Sequence, residues 1–544
     1  MCLNMRTLAL LVLFCRLLCG SLCQGQTSNL SQVWNPDLGD GRYKNPILFA
    51  DYSDPDVIRV GADFYMVSSS FESVPGIPIL HSHDLVHWEI VGHALTRLMP
   101  EDRYESPRHG DGVWAPSIRL HDGKFYIFYP DPDYGVYMIR AASIVGPWSK
   151  PVLVKAAKGW IDPCPFWDSD GKAYLVNALA ASRAGAKSVI LVSRMSPDAT
   201  HVLDDGAIAI DGHGLDETLE GPKIYKRAGY YYIFAPSGGV THGQQIVFRS
   251  RSIYGPYERR VVLAQGSTSI NGPHQGAWVN TLQGEDWFIH FQDRGIYGRV
   301  TDLEPMKWGE NGWPTIGVHQ DAQGTGEPVE IYRRPRSGAF SDAYNPADSD
   351  EFAAATIGAQ WSWQANPGTT WAFAAPGTGA LRLIDAPCGQ GSSDLRALPN
   401  VLLQKLPGPA FTATAKVHFS PKHSGDETGL VVLGKSYSAL ILEQGEDGVS
   451  IRVESRDADL AVNQGSQTVA VNAQEQLYLR ATMNTDLTYQ FSFSMDGHRF
   501  QPLGKPIAAV AGIWIGARIG IYACGSRSTG EFGYADYDWF QFKK

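Results

Sequence analysis

Through the middle of the chain, apolar and polar positions alternate with period two over short runs, each run broken by a Gly- or Asp-bearing turn. The larger unit recurs as well. Five openings compare: DPDVIRVGADFYMVSSS from 54, WAPSIRLHDGKFYIFYP from 114, IDPCPFWDSDGKAYLVNA from 161, LEGPKIYKRAGYYYIFAP from 219 and HQGAWVNTLQGEDWFIHF from 274. Each has a small or acidic residue, often with Pro, then a short apolar strand, a turn and an aromatic-rich alternating strand. Two units close on similar phrases, AASIVGPWSKP and SRSIYGPYERR. The starts fall roughly 48 to 60 residues apart, room for four short strands and their turns. Five such units predict a five-bladed β-propeller; a sandwich of unrelated hairpins would not repeat the whole unit.

Beyond RRPRSG at 333–338 the chain turns polar and rich in Pro and Asp (SDAYNPADSD), a linker composition. From about 350 to 544 alternating strands return, among them FTATAKVHF, GLVVLGKSYSALILEQ and TYQFSFSMDG, the pattern of an antiparallel β-sandwich. The expected organisation is all-β, with a propeller over 40–335 and a sandwich over 349–544. A length of 544 residues suits two or three domains.

Residues 1–23 read differently. Arg6 precedes LALLVLF, too short to cross a bilayer, and SLC at 21–23 offers small residues for cleavage, so this stretch is expected to be a signal peptide. The mature protein is then secreted, extracellular or periplasmic, with no further long apolar run and no membrane partner. Four of the seven cysteines would leave with the peptide. Cys164, Cys388 and Cys524 remain, too few and too widely spaced for a disulfide framework or zinc site, although Cys388 and Cys524 could pair. A formal net charge of -10 without basic runs excludes a nucleic-acid partner, because phosphate binding needs concentrated positive charge.

Candidate chemistry follows from the propeller. The innermost strand of each blade lines the axis, so equivalent positions bring Asp54, Trp114, Asp162, Glu220 and the His274–Gln275 pair to one pocket. Three carboxylates from three blades raise one another's proton affinity. Paired carboxyls around a pocket suit glycosidic hydrolysis: one protonated to donate to the leaving oxygen, one ionised to activate water or attack. Phe71, Trp114 and Trp160 are candidates for packing on sugar faces, and Phe71 and Trp160 could equally be core. By alternation Asp56 should share the side of Asp54 unless the turn at Pro55 intervenes, so register alone does not choose between them.

These motifs also carry a resemblance. DPDVI, FESVPGIPILHSHDLVHW, VWAPSI, WIDPCPFWDSDGKAYLV and LEGPKIYKRAGYYYIF resemble glycoside hydrolase family 43, in particular its β-xylosidase and α-L-arabinofuranosidase branch with a concanavalin-like C-terminal domain. The resemblance implies an inverting, exo-acting enzyme releasing xylose or arabinose from xylan or arabinoxylan fragments, with Asp54 as general base, Glu220 as general acid and Asp162 raising the acid's pKa and orienting it. It implies that Arg299 stands near the sugar-binding subsite; Gln275, placed in the pocket by the repeat, is a further candidate for contact with the sugar. His274 either stands near a Ca2+ held through water or is a plain buried hydrogen-bonding group. It also hints at a calcium shared by Asp350 and Asp536, against the alternative of exposed strand-edge carboxylates. The stretches NALAASRAGAKSVILVSR and GGVTHGQQ depart from the commoner β-xylosidase wording and leave xylose against arabinose open. A non-catalytic sugar-binding propeller is the other class, and loss of one acid would favour it; all three are present.

Overall fold

A computed structural model describes residues 31–337, 345–375, 379–387, 394–457, 462–465, 468–472 and 475–544. The expected signal peptide and Cys388 lie outside the described residues; Cys524 is disulfide-bonded. Five four-stranded antiparallel sheets follow one another in strict sequence order. Blade I comprises Asp56–Val60, Asp63–Val67, Gly76–Ser82 and Glu89–Leu95, and blade II Ser117–His121, Lys124–Asp131, Gly135–Ala141 and Val152–Ala156. Blade III comprises Trp160–Trp167, Ala173–Leu179, Val189–Met195 and Ala207–Asp211, and blade IV Lys223–Arg227, Tyr230–Ser237, Gln244–Ser250 and Glu258–Ala264. Blade V comprises His274–Asn280, Asp286–Asp293, Arg299–Trp308 and Pro314–Ile316. The period-two runs thus became a five-bladed propeller, whose neighbouring blades bury apolar clusters between them.

The ring is clasped where its ends meet. Arg42–Lys44 pairs with Ile331–Arg333, and Asn45 ties both to blade V by accepting from the Leu303 N–H (2.9 Å) and donating to the Val329 carbonyl (2.8 Å). Asp56 does not face the pocket. Its carboxylate accepts from Arg119 (2.6 Å) and from the Ile118 N–H (2.8 Å), pinning blade I to blade II. The turn at Pro55 does intervene: the backbone at Asp54 is left-handed (φ 55°), which breaks the extended run before Asp56.

The C-terminal region is a sandwich of a nine-stranded and a seven-stranded sheet. Its core continues into the propeller: Phe49, Ile296, Tyr297 and Val300 share one apolar cluster with Trp361, Leu402, Phe411, Ile519 and Phe540. Backbone pairing crosses the junction too, between Val74 and Trp363 and from the Ala517 N–H to the Ile296 carbonyl (2.7 Å). A buried ion pair joins Arg518 of the sandwich to Glu72 of the propeller at 2.8 Å. Asp350 and Asp536 are not brought together as a shared ion site. Asp350 accepts from Trp361 (2.9 Å) and the Phe352 N–H, whereas Asp536 takes a two-pronged bond from Arg382 (2.8 and 2.7 Å). No helix among the described residues is long and apolar enough to cross a membrane.

Candidate active site

The three acids stand at the entries of the innermost strands of blades I, III and IV, and their backbones show why they are aimed inward. Asp54 and Asp162 have φ of 55° and 54°, and Gln275, in the corresponding stretch of blade V, has 29°. Left-handed backbone is costly for a side chain with a Cβ and persists only where surrounding structure imposes it. Register shifts between Ile161 and Cys164 and between His274 and Ala277 accompany these turns. Bulges of this kind re-aim side chains next to functional sites.

Asp54 is gripped on its carboxylate. Arg299 Nη1 lies 3.1 and 3.2 Å from its two oxygens, and Ser69 Oγ donates at 2.5 Å. Arg299 is positioned in turn by Asp51, which accepts from the Arg299 N–H with one oxygen (3.0 Å) and from the Gly516 N–H of the sandwich with the other (2.9 Å). Charge-assisted bonds of this kind fix the carboxylate of Asp54 in one orientation.

Asp162 and Glu220 both hold their protons more tightly than ordinary carboxyls. Burial, and then the charge of Asp54, raises Asp162 to about 6. Burial, and then the charge of Asp162, raises Glu220 to about 8, so this carboxyl carries its proton at neutral pH. Asp162 Oδ2 accepts from the Gly221 N–H (2.8 Å) and from Gln275 Nε2 (3.0 Å). It therefore holds the backbone immediately after Glu220. Gly221 (φ 61°) is required there, since a Cβ would lie 2.3 Å from the Gln275 side chain.

His274 Nε2 is 3.4 Å from Glu220 Oε1 but misaligned for a hydrogen bond, and both ring nitrogens are buried without a partner. Burial, and then Arg299, depresses its pKa to about 3, so the contact is between a neutral imidazole and a carboxyl group rather than an ion pair. Unpartnered ring nitrogens suit ordered water. A hard cation such as calcium takes oxygen ligands, so His274 fits the outer sphere of a hydrated ion and not direct ligation. No step below passes through one.

Of the aromatic candidates, Phe71 and Trp114 come together (ring centroids 6.3 Å), with Phe71 itself in left-handed backbone (φ 50°). Trp160 goes elsewhere. It is buried in the cluster between blades II and III with Tyr126, Phe128 and Leu175, and Lys155 sits 5.2 Å over its ring. Its packing partners are thus inside the protein rather than a sugar face.

Sequence reasoning missed four participants. Ser69 lies in an unremarkable SSS run, Asp51 resembles a turn residue, and Arg183 and Trp514 come from distant loops. Arg183, in the short helix Ala181–Ala184, stacks 5.5 Å over Trp114 and pairs with Asp111 at 2.9 Å. Trp514 of the sandwich, half exposed with φ 64°, reaches within 6.0 Å of the other side of this group at Trp114. Only the SRAG departure and an exposed Trp in a Gly-flanked loop hinted at them.

Residues 43–314 match Glycosyl hydrolases family 43, and residues 349–543 match the Beta xylosidase C-terminal Concanavalin A-like domain. The chain belongs to glycosyl hydrolase family 43. It is 39% identical to a putative beta-xylosidase of Xylanibacter ruminicola, over 89% of this chain and 86% of that protein. It is 30% identical to a non-reducing end alpha-L-arabinofuranosidase of Bacteroides ovatus, over 94% of this chain and 96% of that one. Among solved structures, a GH43 protein of Bacillus licheniformis superposes with a TM-score of 0.79 at 28% identity, covering 92% of this chain and 99% of the other. This family 43 protein is accordingly a glycosidase, with the propeller-plus-sandwich organisation of its relatives.

Proposed function

We propose that this family 43 enzyme is an inverting, exo-acting glycosidase that removes xylose from the non-reducing ends of xylan-type oligosaccharides, with arabinose as a second substrate. The observation that carries the reading is the contrast in what surrounds the acids: Glu220 is buried beside Asp162 and raised to about 8, so it holds a proton to donate, while the Asp54 carboxylate is gripped by Arg299 and Ser69 where it can accept one from water.

In this mechanism Glu220 donates its proton to the glycosidic oxygen as the bond to the anomeric carbon breaks. Asp54 takes a proton from a water that attacks the opposite face of the sugar, and the configuration inverts. Asp162 positions Glu220 through the Gly221 N–H and sustains its proton affinity by its own negative charge. Arg299 holds Asp54 in one orientation and extends positive charge toward the sugar-facing end of the pocket. Phe71 and Trp114 offer apolar faces for the sugar C–H surface, with Trp514 closing the wall beside them. A pocket closed on that side by a second domain favours chain ends over chain middles.

Xylose is placed first because relatives matching over most of their length include proteins named beta-xylosidase. Arabinose stays second because of the relative named alpha-L-arabinofuranosidase and because Arg183, from the stretch that departs from the commoner β-xylosidase wording, stacks over Trp114. Residues 1–23 are proposed to be an export signal, placing the enzyme outside the cytoplasm. Following the first-formed sugar by NMR tests the mechanism: the product anomer should be opposite in configuration to the substrate, and retention would refute inversion. Aryl β-xyloside and aryl α-L-arabinofuranoside assayed side by side test the order of substrates, which a higher kcat/KM on the arabinoside would reverse.

A further inference from the structure

The far face of blade I carries a second constellation of ligand-type side chains, remote from the catalytic one. Asp54 precedes the innermost strand of this blade. Asp63 follows the hairpin at that strand's other end, so the two acids belong to opposite faces of the propeller. In the antiparallel register Tyr65 pairs with His81 and His81 with Glu89, and extension by one step sets Asp63 across from His83. Side chains two apart on a strand share a face, so Asp63, His81, His83 and Glu89 project from one side of blade I.

The contacts follow. Asp63 Oδ1 is 2.9 Å from His81 Nε2 and 2.7 Å from His83 Nδ1, and the three ligand atoms lie within 4.8 Å of one another. The other ring nitrogen of His81, Nδ1, is 3.1 Å from Glu89 Oε1. The two imidazoles meet edge to face at 4.5 Å, and Tyr65 stacks on His81 at 5.1 Å, fixing the plane of its ring. Among the described residues no other group of three His, Cys, Asp or Glu is so convergent.

We propose that Asp63, His81 and His83 bind a divalent late first-row transition ion, of which Zn2+ is the representative probe. The set of two imidazoles and one carboxylate is the N/O chemistry such ions take, with a fourth position left for water. Zinc at about 2.0–2.2 Å from each ligand places tetrahedral ligands roughly 3.3 Å apart, so the two contacts of Asp63 with His81 and His83 need to open by only about half an ångström. The second observation is Glu89. Ligating histidines characteristically donate their other ring N–H to a carboxylate, which fixes the tautomer and raises ligand basicity. With Nδ1–H given to Glu89, the Nε2 lone pair of His81 faces a carboxylate oxygen, an arrangement that calls for a cation between them. Either a second proton or a metal ion can fill that role, and the experiment separates the two. A bound ion would cross-link the second and third strands of blade I, with Glu89 bringing in the fourth.

The test is calorimetric titration of Zn2+ into chelator-treated full-length enzyme without a polyhistidine tag, with visible absorption of the Co2+ form as a second readout. One ion per chain is expected, with the d–d bands of a tetrahedral site. His83→Ala and Asp63→Asn should each abolish that ion while leaving kcat on an aryl xyloside unchanged, which also shows that the variants are folded. Glu89→Gln should keep the stoichiometry and weaken affinity by about 10–100-fold. Absence of stoichiometric binding by the unmodified enzyme would mean that a proton alone joins His81 to Asp63, and would overturn the proposal. Undiminished binding by His83→Ala would overturn it equally, by locating the ion elsewhere.

Discussion

Replacing Asp162 by Asn should move the alkaline limit of activity without dismantling the site. The isosteric amide keeps an oxygen that can accept from the Gly221 N–H and Gln275, so Glu220 should keep its place. What disappears is a negative charge. Glu220 is raised to about 8, with burial the larger cause and the charge of Asp162 the next. A neighbouring charge moves a carboxyl by about 1 to 3 pH units, which is roughly 1.4 to 4 kcal/mol of proton affinity. Burial is untouched, so the limb of kcat/KM that falls as pH rises through about 8 in the parent should fall between about 5 and 7 in the variant. The sign is fixed: Glu220 must be protonated to act, so a lower pKa removes activity from the alkaline side. The assay is kcat/KM across pH with two aryl xylosides, one with a good and one with a poor leaving group. The poor one should show the full displacement and the good one little, because only the former needs the proton. An alkaline limb that stays near pH 8 in the variant would refute the claim that the charge of Asp162 sustains the acid.

Other outcomes follow from the same contacts. Glu220→Ala should lower kcat by about 10²–10⁴-fold on poor leaving groups and far less on an activated aryl glycoside; equal loss on both would remove Glu220 from the role of acid. Glu72 is fully buried, and although burial alone would raise its pKa, Arg518 and then His109 hold it at about 2. A carboxyl lowered in the folded state adds stability that is complete above its ordinary value of 4.5 and is lost as pH falls toward 2. Thermal unfolding should therefore drop over that window in the parent and drop less in Glu72→Gln. Arg518→Ala leaves Glu72 with only His109 and the Gly110 N–H, and should cost about 3 kcal/mol in denaturant unfolding. Trp514→Ala should raise KM for xylo-oligosaccharides about tenfold, roughly 1.4 kcal/mol, with a small change in kcat; an unchanged KM would take Trp514 out of the pocket wall.

Legibility in the sequence tracked locality. The blades were visible because each strand and turn declares itself within about ten residues, and repetition multiplied that signal. Asp54, Asp162 and Glu220 were visible because they occupy matched positions in the repeat. Asp56 could not be placed by alternation because alternation presumes extended backbone, and the left-handed turn at Asp54 ends that presumption. Trp160 was left open between sugar face and core because its neighbours Tyr126 and Phe128 come from the preceding blade, a relation that periodicity does not encode. Arg183 meets a loop of the preceding blade about 70 residues away, and Trp514 and the second role of Asp51 depend on segments hundreds of residues apart meeting in space. No local pattern announces such a meeting.

Asp51 has a consequence for how this enzyme can be altered. One carboxylate oxygen orients the strand that presents Arg299 to Asp54, and the other is spent on the backbone of the sandwich. Detaching the sandwich would therefore loosen the grip on Asp54 as well as open the pocket. Grafting a sandwich from a relative would succeed only if its loop offered an N–H at the position of Gly516. The second domain is not an accessory module that can be traded freely, and turnover itself becomes a gauge of whether the two halves are correctly seated.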